Sequence, residues 1–359
     1  MQKIILLILT IFLSLSVFAQ AIILEEAIVL NTNSGDIHGT LRNPATESET
    51  APIVLIIAGS GPTDRNGNNP QMQNNSLKML SEALYQNGIA SLAFDKRGIG
   101  ESASSMIAET DLRFEDYIND VREWINLLSN DKRFSEVIVA GHSKGSLIGM
   151  IAAQNNTNIS KFISISGVGE PAGNILKEQL TTQLAGQPQT IKDMIFGYID
   201  KLENGETIDD VPQMLYSLFR PSVQPYMISW FKYNPQTEIG KLNIPILILQ
   251  GTTDIQVSAT QAELLSKAQP NAQKVIIENM NHVLKDSEST DMMTQFATTY
   301  NNPNLPINRE LIEKIVGFVK RHLRAENYFP PTQITNSPFG SFSVKCTTNS
   351  NNVPLTVSA

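Results

Sequence analysis

Residues 137–153 constrain the fold more than any other stretch of this chain. Val137-Ile138-Val139-Ala140 is a short β-rich apolar run. Ser146-Leu147-Ile148-Gly149-Met150-Ile151-Ala152-Ala153 is small and apolar, as a buried helix is. Between them lies Gly141-His142-Ser143-Lys144-Gly145. A strand that becomes a helix within so few residues must turn sharply, and the positions two before and two after the central residue must be small. Such a turn stands the Ser143 side chain clear of the sheet. It also puts that side chain at a helix start, where free N–H groups and the helix dipole favour a forming anion.

The rest of the chain supplies a sheet around that turn. Residues 27–30 and 37–41 read as a hairpin across a polar turn at Asn31 to Asp36. Pro52 introduces Ile53-Val54-Leu55-Ile56-Ile57-Ala58, an unbroken apolar run that fits an interior strand buried on both faces. Leu77 to Gln86 carries Leu77, Leu80 and Leu84 at helical spacing and stops at Asn87-Gly88. Residues 89–94 form the next strand. Residues 114–128 form a second helix, with Tyr117, Val121, Trp124, Ile125 and Leu128 inward. Strands at 162–165, 244–250 and 274–277, a helix at 259–268 and a closing amphipathic helix at 308–323 complete the alternation. The fold class is α/β, with a mostly parallel central sheet flanked by helices.

One segment breaks the pattern. Residues 170–240 are rich in Met, Tyr and Gln and too long for a connecting loop. Short helices are expected at 179–187, 191–202 and 214–218, broken by Pro212, Pro221 and Pro225. This reads as a helical cap insertion over the active edge of the sheet. Its apolar residues, among them Phe196, Leu215, Phe219, Met227, Trp230 and Phe231, should divide between cap core and an acyl-binding wall.

The two ends read differently from the middle. Met1-Gln2-Lys3, the apolar stretch to Phe18 and Val17-Phe18-Ala19 before Gln20 fit a secretory signal peptide over residues 1–19. Export to the periplasm or the extracellular space is expected, with no stable membrane insertion after cleavage. Residues 20–326 form the folded domain, and residues 327–359, rich in Pro, Ser, Thr and Asn, a poorly ordered or loosely docked tail. The sole cysteine, Cys346, rules out an intramolecular disulfide. With 27 basic against 35 acidic residues, the surface argues against nucleic acid as a partner.

A serine nucleophile needs a base within hydrogen-bond reach, and the base needs an acceptor to fix its tautomer. The chain has four histidines. His142 adjoins Ser143, but its side chain must leave the turn in another direction. His38 belongs to the hairpin, and His322 to a solvated helix face. His282 remains, in the loop after the last strand, and a parallel sheet presents all such loops at one edge. Asp254, in the loop Gly251-Thr252-Thr253-Asp254 after the preceding strand, is the favoured acid. Asp286 and Glu288 are alternatives. The backbone N–H groups of Ser60 and Lys144 would form an oxyanion hole. The Lys144 head should reach solvent or an acid such as Glu170. Asp64, Arg65, Asp95 and Arg97 sit in neighbouring loops, where bracing is favoured over substrate contact. So few histidines and one cysteine point to no metal or organic cofactor.

The nucleophile turn, the Asp254 and His282 loops, Ala58-Gly59-Ser60-Gly61 and Asp95-Lys96-Arg97-Gly98-Ile99-Gly100-Glu101-Ser102 together resemble the α/β-hydrolase superfamily over roughly residues 22–326. Ala58 stands where many relatives have His. The run from Gly59 to Asn68 resembles exported bacterial members of the serine aminopeptidase-like and acyl-esterase branches. The resemblance implies an α/β-hydrolase fold and a triad of Ser143, Asp254 and His282. The branches the chain resembles are broadly hydrolases of esters, and the apolar and aromatic residues of the insertion point to a small or medium carboxylic ester as the small-molecule substrate, cleaved through an acyl-enzyme. A serine peptidase and a non-catalytic binding protein of the same fold are the alternatives.

Overall fold

The computed structural model describes residues 23–46 and 48–321. The expected leader at 1–19 and tail at 327–359 lie outside the described residues.

Eight strands form one sheet: β1 (Glu26–Thr32), β2 (Gly35–Arg42), β3 (Ala51–Ile57), β4 (Ala90–Phe94), β5 (Phe134–His142), β6 (Ile159–Ile165), β7 (Ile246–Gly251) and β8 (Gln273–Ile277). Their order is β1-β2-β4-β3-β5-β6-β7-β8. The hairpin pairs antiparallel, β2 joins β4 antiparallel, and every pairing from β4 through β8 is parallel.

The strand sequences account for this. In β3, Ile53, Leu55 and Ile57 face one core, while Val54 and Ile56 face the other. β3 is thus buried on both sides, as its unbroken apolar run requires. The first core is covered by α2 (Phe114–Ser129) and α3 (Lys144–Ala153), which supply Phe114, Trp124, Leu147 and Ile151. The second is covered by α1 (Ser76–Gln86) with Leu77, Leu80 and Leu84, and by the closing helix at Arg309–Val319 with Leu311 and Ile315.

Between β6 and β7 the chain forms α4 (Ala172–Gln183), α5 (Gln189–Glu203), α6 (Tyr216–Phe219), α7 (Gln224–Phe231) and α8 (Pro235–Gly240). The first of these differs from the expected helix at 179–187. It begins at Ala172, with the Pro171 carbonyl accepting from the N–H groups of Asn174 and Ile175. Pro225 does not break the chain. It lies in the first turn of α7, where a missing N–H costs nothing. After β7 come α9 (Ala259–Ala268), α10 (Met292–Gln295) with a π turn at Phe296–Tyr300, and α11 (Arg309–Val319). The described helix ends short of the expected 323.

Candidate active site

The turn after β5 is as crowded as its sequence demands. A Cβ on Gly141 would lie 2.3 Å from the Gly145 carbonyl oxygen, and one on Gly145 would lie 2.4 Å from that of Ile57. Ser143 takes φ 54° and ψ −125°, a backbone conformation that L-residues rarely adopt. Its N–H is tied to the Ile165 carbonyl at 2.9 Å, and its own carbonyl accepts from Ser146 at 3.0 Å. Ser143 is 9% exposed.

Asp254 and His282 meet across the neighbouring loops. His282 Nδ1 donates to Asp254 Oδ2 at 2.8 Å. The same oxygen accepts from Gln250 Nε2 at 3.0 Å, and Oδ1 accepts from the N–H groups of Gln256 and Val257, each at 2.9 Å. Burial alone would raise the Asp254 carboxyl, but the His282 charge and these donors outweigh it and hold the carboxyl below its ordinary value. With Nδ1 carrying its proton toward Asp254, Nε2 of a neutral His282 is free to accept one. Asp286 instead accepts from Asn308, and Glu288 is exposed.

Ser143 and His282 line one cavity of about 400 Å³ together with Gly59, Ser60 and Lys144. Gly59 packs so closely that an added Cβ would sit 3.0 Å from that of Ser143. Lys144 is the first residue of α3, so its N–H has no partner within the helix.

The bracing loops are densely bonded. Asp95 accepts from the Arg65 N–H at 2.8 Å, from Arg65 Nη2 at 2.8 Å and from the Glu101 N–H at 3.0 Å. Arg65 also pairs with Glu101. Arg97 pairs with buried Asp120 and donates to the Ser105 carbonyl at 2.9 Å. Asp64 Oδ1 accepts from the N–H groups of Asn66 and Asn68, each at 2.8 Å. None of these four residues lines the cavity.

Two expectations need correction. The Lys144 head does not reach Glu170, and it is held by neighbouring rings rather than free in solvent. Its Nζ donates to the Tyr226 hydroxyl at 2.9 Å and lies 5.3 to 5.8 Å from the ring centres of Trp230, Tyr226 and Tyr117. Three aromatic faces meet the cation there, while Glu170 is held by Gln261. Burial in this cage lowers the Lys144 pKa. The second correction concerns the pocket wall. Of the apolar insertion residues expected to share that task, only Trp230 lines the cavity. Leu215, Phe219, Met227 and Phe231 pack into the insertion's own core, and Met214 is 67% exposed. The wall comes instead from Ala172, Ile175, Leu176 and Gln179 of α4, with Val168 before it.

Sequence reasoning also passed over groups that hold the site. His142 Nε2 donates to the His282 carbonyl at 2.8 Å, and the two rings lie 4.8 Å apart. Burial and the His282 charge push His142 down to about 3, so it is a neutral strut at neutral pH. Gln250 ties Asp254 to the Val257 carbonyl, and Gln256 bonds Tyr300. Lys96 is 3% exposed beneath the Gly59–Gly61 turn. The only signal for these is position, beside a strand end or inside the Ser143 turn. Among the described residues no group of three or more His, Cys, Asp or Glu could hold a metal ion, and no helix is long and apolar enough to cross a membrane.

The strand order, the strained serine turn and the Asp–His pair behind successive parallel strands give this chain the α/β-hydrolase fold. Residues 73–193 match the family described as serine aminopeptidase, S33. The chain is 24% identical over 250 residues to the esterase EstD of Thermotoga maritima, a match that spans 68% of this chain and 57% of that esterase. Among solved structures, the α/β hydrolase GrgF from Penicillium sp. sh18 superposes with TM-score 0.54 at 15% identity, covering 83% of this chain and 98% of that one. Est1E from Butyrivibrio proteoclasticus gives 0.52 at 17% identity, covering 82% and 95%. At these identities the structural likeness is one of fold.

Proposed function

We propose that this protein is a serine hydrolase that cleaves small or medium carboxylic esters through an acyl-enzyme. The observation that carries the reading is the 2.8 Å bond from His282 Nδ1 to Asp254, made by a histidine that shares its cavity with Ser143. His282 Nε2 takes the Ser143 hydroxyl proton as Oγ attacks the ester carbonyl. The N–H groups of Ser60 and Lys144 receive the developing oxyanion. The tetrahedral adduct collapses, the C–O bond to the alcohol breaks, and His282 returns the proton to the departing oxygen. Water then repeats the sequence on the acyl-enzyme, releasing the acid and free Ser143.

An aminopeptidase reading draws on the description of the matching family. An aminopeptidase must hold a free amine, and a carboxylate is the natural partner. Among the described residues, the cavity lining contains no Asp or Glu, and its charged side chain is Lys144. Glu170 is bonded to Gln261, Glu203 to Lys177, and Glu178 is exposed. The apolar wall of Val168, Ala172, Ile175 and Leu176 suits an acyl chain. Esters are therefore the favoured substrates. Export is proposed on residues 1–19 alone, and sequencing the N-terminus of the mature protein checks it.

The test of activity is labelling by a fluorophosphonate, followed by rates on p-nitrophenyl acyl esters beside aminoacyl anilides. Labelling should be lost in Ser143→Ala and esters should be the faster class. Faster anilide turnover would reverse the ranking, and an unlabelled, folded wild type would favour a binding protein.

A further inference from the structure

The Lys96 side chain is an unusual expense for a loop residue. Its ammonium is buried, and among the described residues it forms no ion pair. It donates instead to two carbonyl oxygens of one turn, those of Gly59 and Gly61, the latter at 3.0 Å. Burial first, and then the charge of Lys144, push its pKa well below the ordinary value, while Asp64 and Asp95 act the other way from a distance. A neutral amide could satisfy the same oxygens without desolvating a charge.

The Gly59 carbonyl belongs to the same peptide unit as the Ser60 N–H. That unit is trans, so its C=O and N–H point in opposite directions. A cation held on the oxygen leaves the N–H pointing away from itself, and Gly59, Ser60 and Ser143 line one cavity. It also draws electron density toward the oxygen, which makes the N–H a stronger donor. Lys96 does not line the cavity, so it acts through the peptide and does not touch substrate.

We propose that Lys96 is a positioning residue of the oxyanion hole, whose ammonium aims and polarises the Gly59–Ser60 peptide so that the Ser60 N–H binds the transition-state oxyanion more tightly than the ground-state carbonyl. The inference rests on the hydrolase reading above. Its effect belongs to kcat, because the added stabilisation appears only as negative charge develops.

The experiment compares Lys96→Met, which removes the donors, with Lys96→Gln, which keeps a donor without the charge. The readouts are kcat and KM on p-nitrophenyl butyrate, and inhibition by an alkyl trifluoromethyl ketone, whose adduct with Ser143 carries an oxyanion. Loss of a whole oxyanion donor costs about 100- to 1000-fold in kcat, so weakening one should cost Lys96→Met about 10- to 100-fold. Lys96→Gln should fall between it and wild type. KM should stay within about threefold, and ketone affinity should fall in proportion to kcat. Circular dichroism establishes that each variant is folded. A folded Lys96→Met that keeps kcat within about threefold overturns the proposal, as does a loss of kcat with unchanged ketone affinity. If Lys96→Met does not fold, Lys96→Gln decides alone, and failure of both to fold overturns a role confined to the oxyanion hole. A wild type that neither cleaves esters nor takes a fluorophosphonate overturns the hydrolase reading and this inference with it. A competent wild type with indifferent variants overturns this inference alone.

Discussion

Along β3 and β5 successive side chains go to opposite cores, so each strand is gripped from both sides. The helices α4 to α7 instead pack on a separate apolar cluster of their own, built from Leu180, Ile195, Ile199, Leu202, Leu215, Phe219 and Met227. They reach the sheet body through few groups. Phe114 and Tyr117 of α2 meet Tyr226 and Trp230 of α7, Arg220 pairs with Glu109, and Lys144 stands amid the rings. The contrast teaches a division of work. The doubly buried strands set the positions of Ser143, Asp254 and His282 through the backbone. The insertion sets the shape of one pocket wall through side chains, and that wall can change without disturbing the strands.

The sharpest way to break this comparison is at the sheet edge. Asp254→Asn keeps a side-chain oxygen for the N–H groups of Gln256 and Val257, so the loop should fold as before. The amide no longer holds His282 in the required tautomer, and kcat should fall about 10⁴-fold. A loss below about tenfold in ester assays would show that the Asp–His frame is not what drives turnover.

At the wall, Leu176→Ala enlarges the pocket beside α4. Relative kcat/KM for butyryl over acetyl esters should shift by about tenfold, with little change for acetyl itself. Ile195→Ala, in the separate cluster, should lower the melting temperature and leave that ratio alone. If both variants alter the ratio alike, the insertion core and the wall are one unit and the division fails.

The smallest expected effect tests the strut between the two loops. The folded-state pKa of His142 is about 3, below its value in the unfolded chain. As pH falls, the unfolded state binds a proton that the folded state refuses, so stability is lost from about pH 6.5 downward. Between pH 7 and pH 6 this amounts to about 0.7 kcal/mol. Urea unfolding of His142→Asn at both values should show that increment missing. An unchanged increment would assign it to another group.

Legibility in the sequence followed the same division. The strands could be read because burial on both faces leaves unbroken apolar runs such as Ile53 to Ala58. Asp254 and His282 could be read because parallel topology sends strand ends to one edge, and the bond between them follows from that geometry. The insertion was harder. Gly173 and Asn174 in the first turn of α4 mask its start, and Pro225 in the first turn of α7 looks like a breaker when neighbours are unknown. Lys96 and Lys144 were illegible for a different reason. A lysine signals solvent by composition, and only tertiary structure reveals two carbonyl oxygens around one ammonium and three rings around the other.

The contact between Gly141 and Gly145 has a wider consequence. Because strand and helix touch there main chain to main chain, the address of the Ser143 hydroxyl is written in atoms that every residue shares. Side chains at 142, 144 and along the wall can be exchanged to retune chemistry or selectivity while that atom stays put. A single methyl group added at 141 or 145 would shift it.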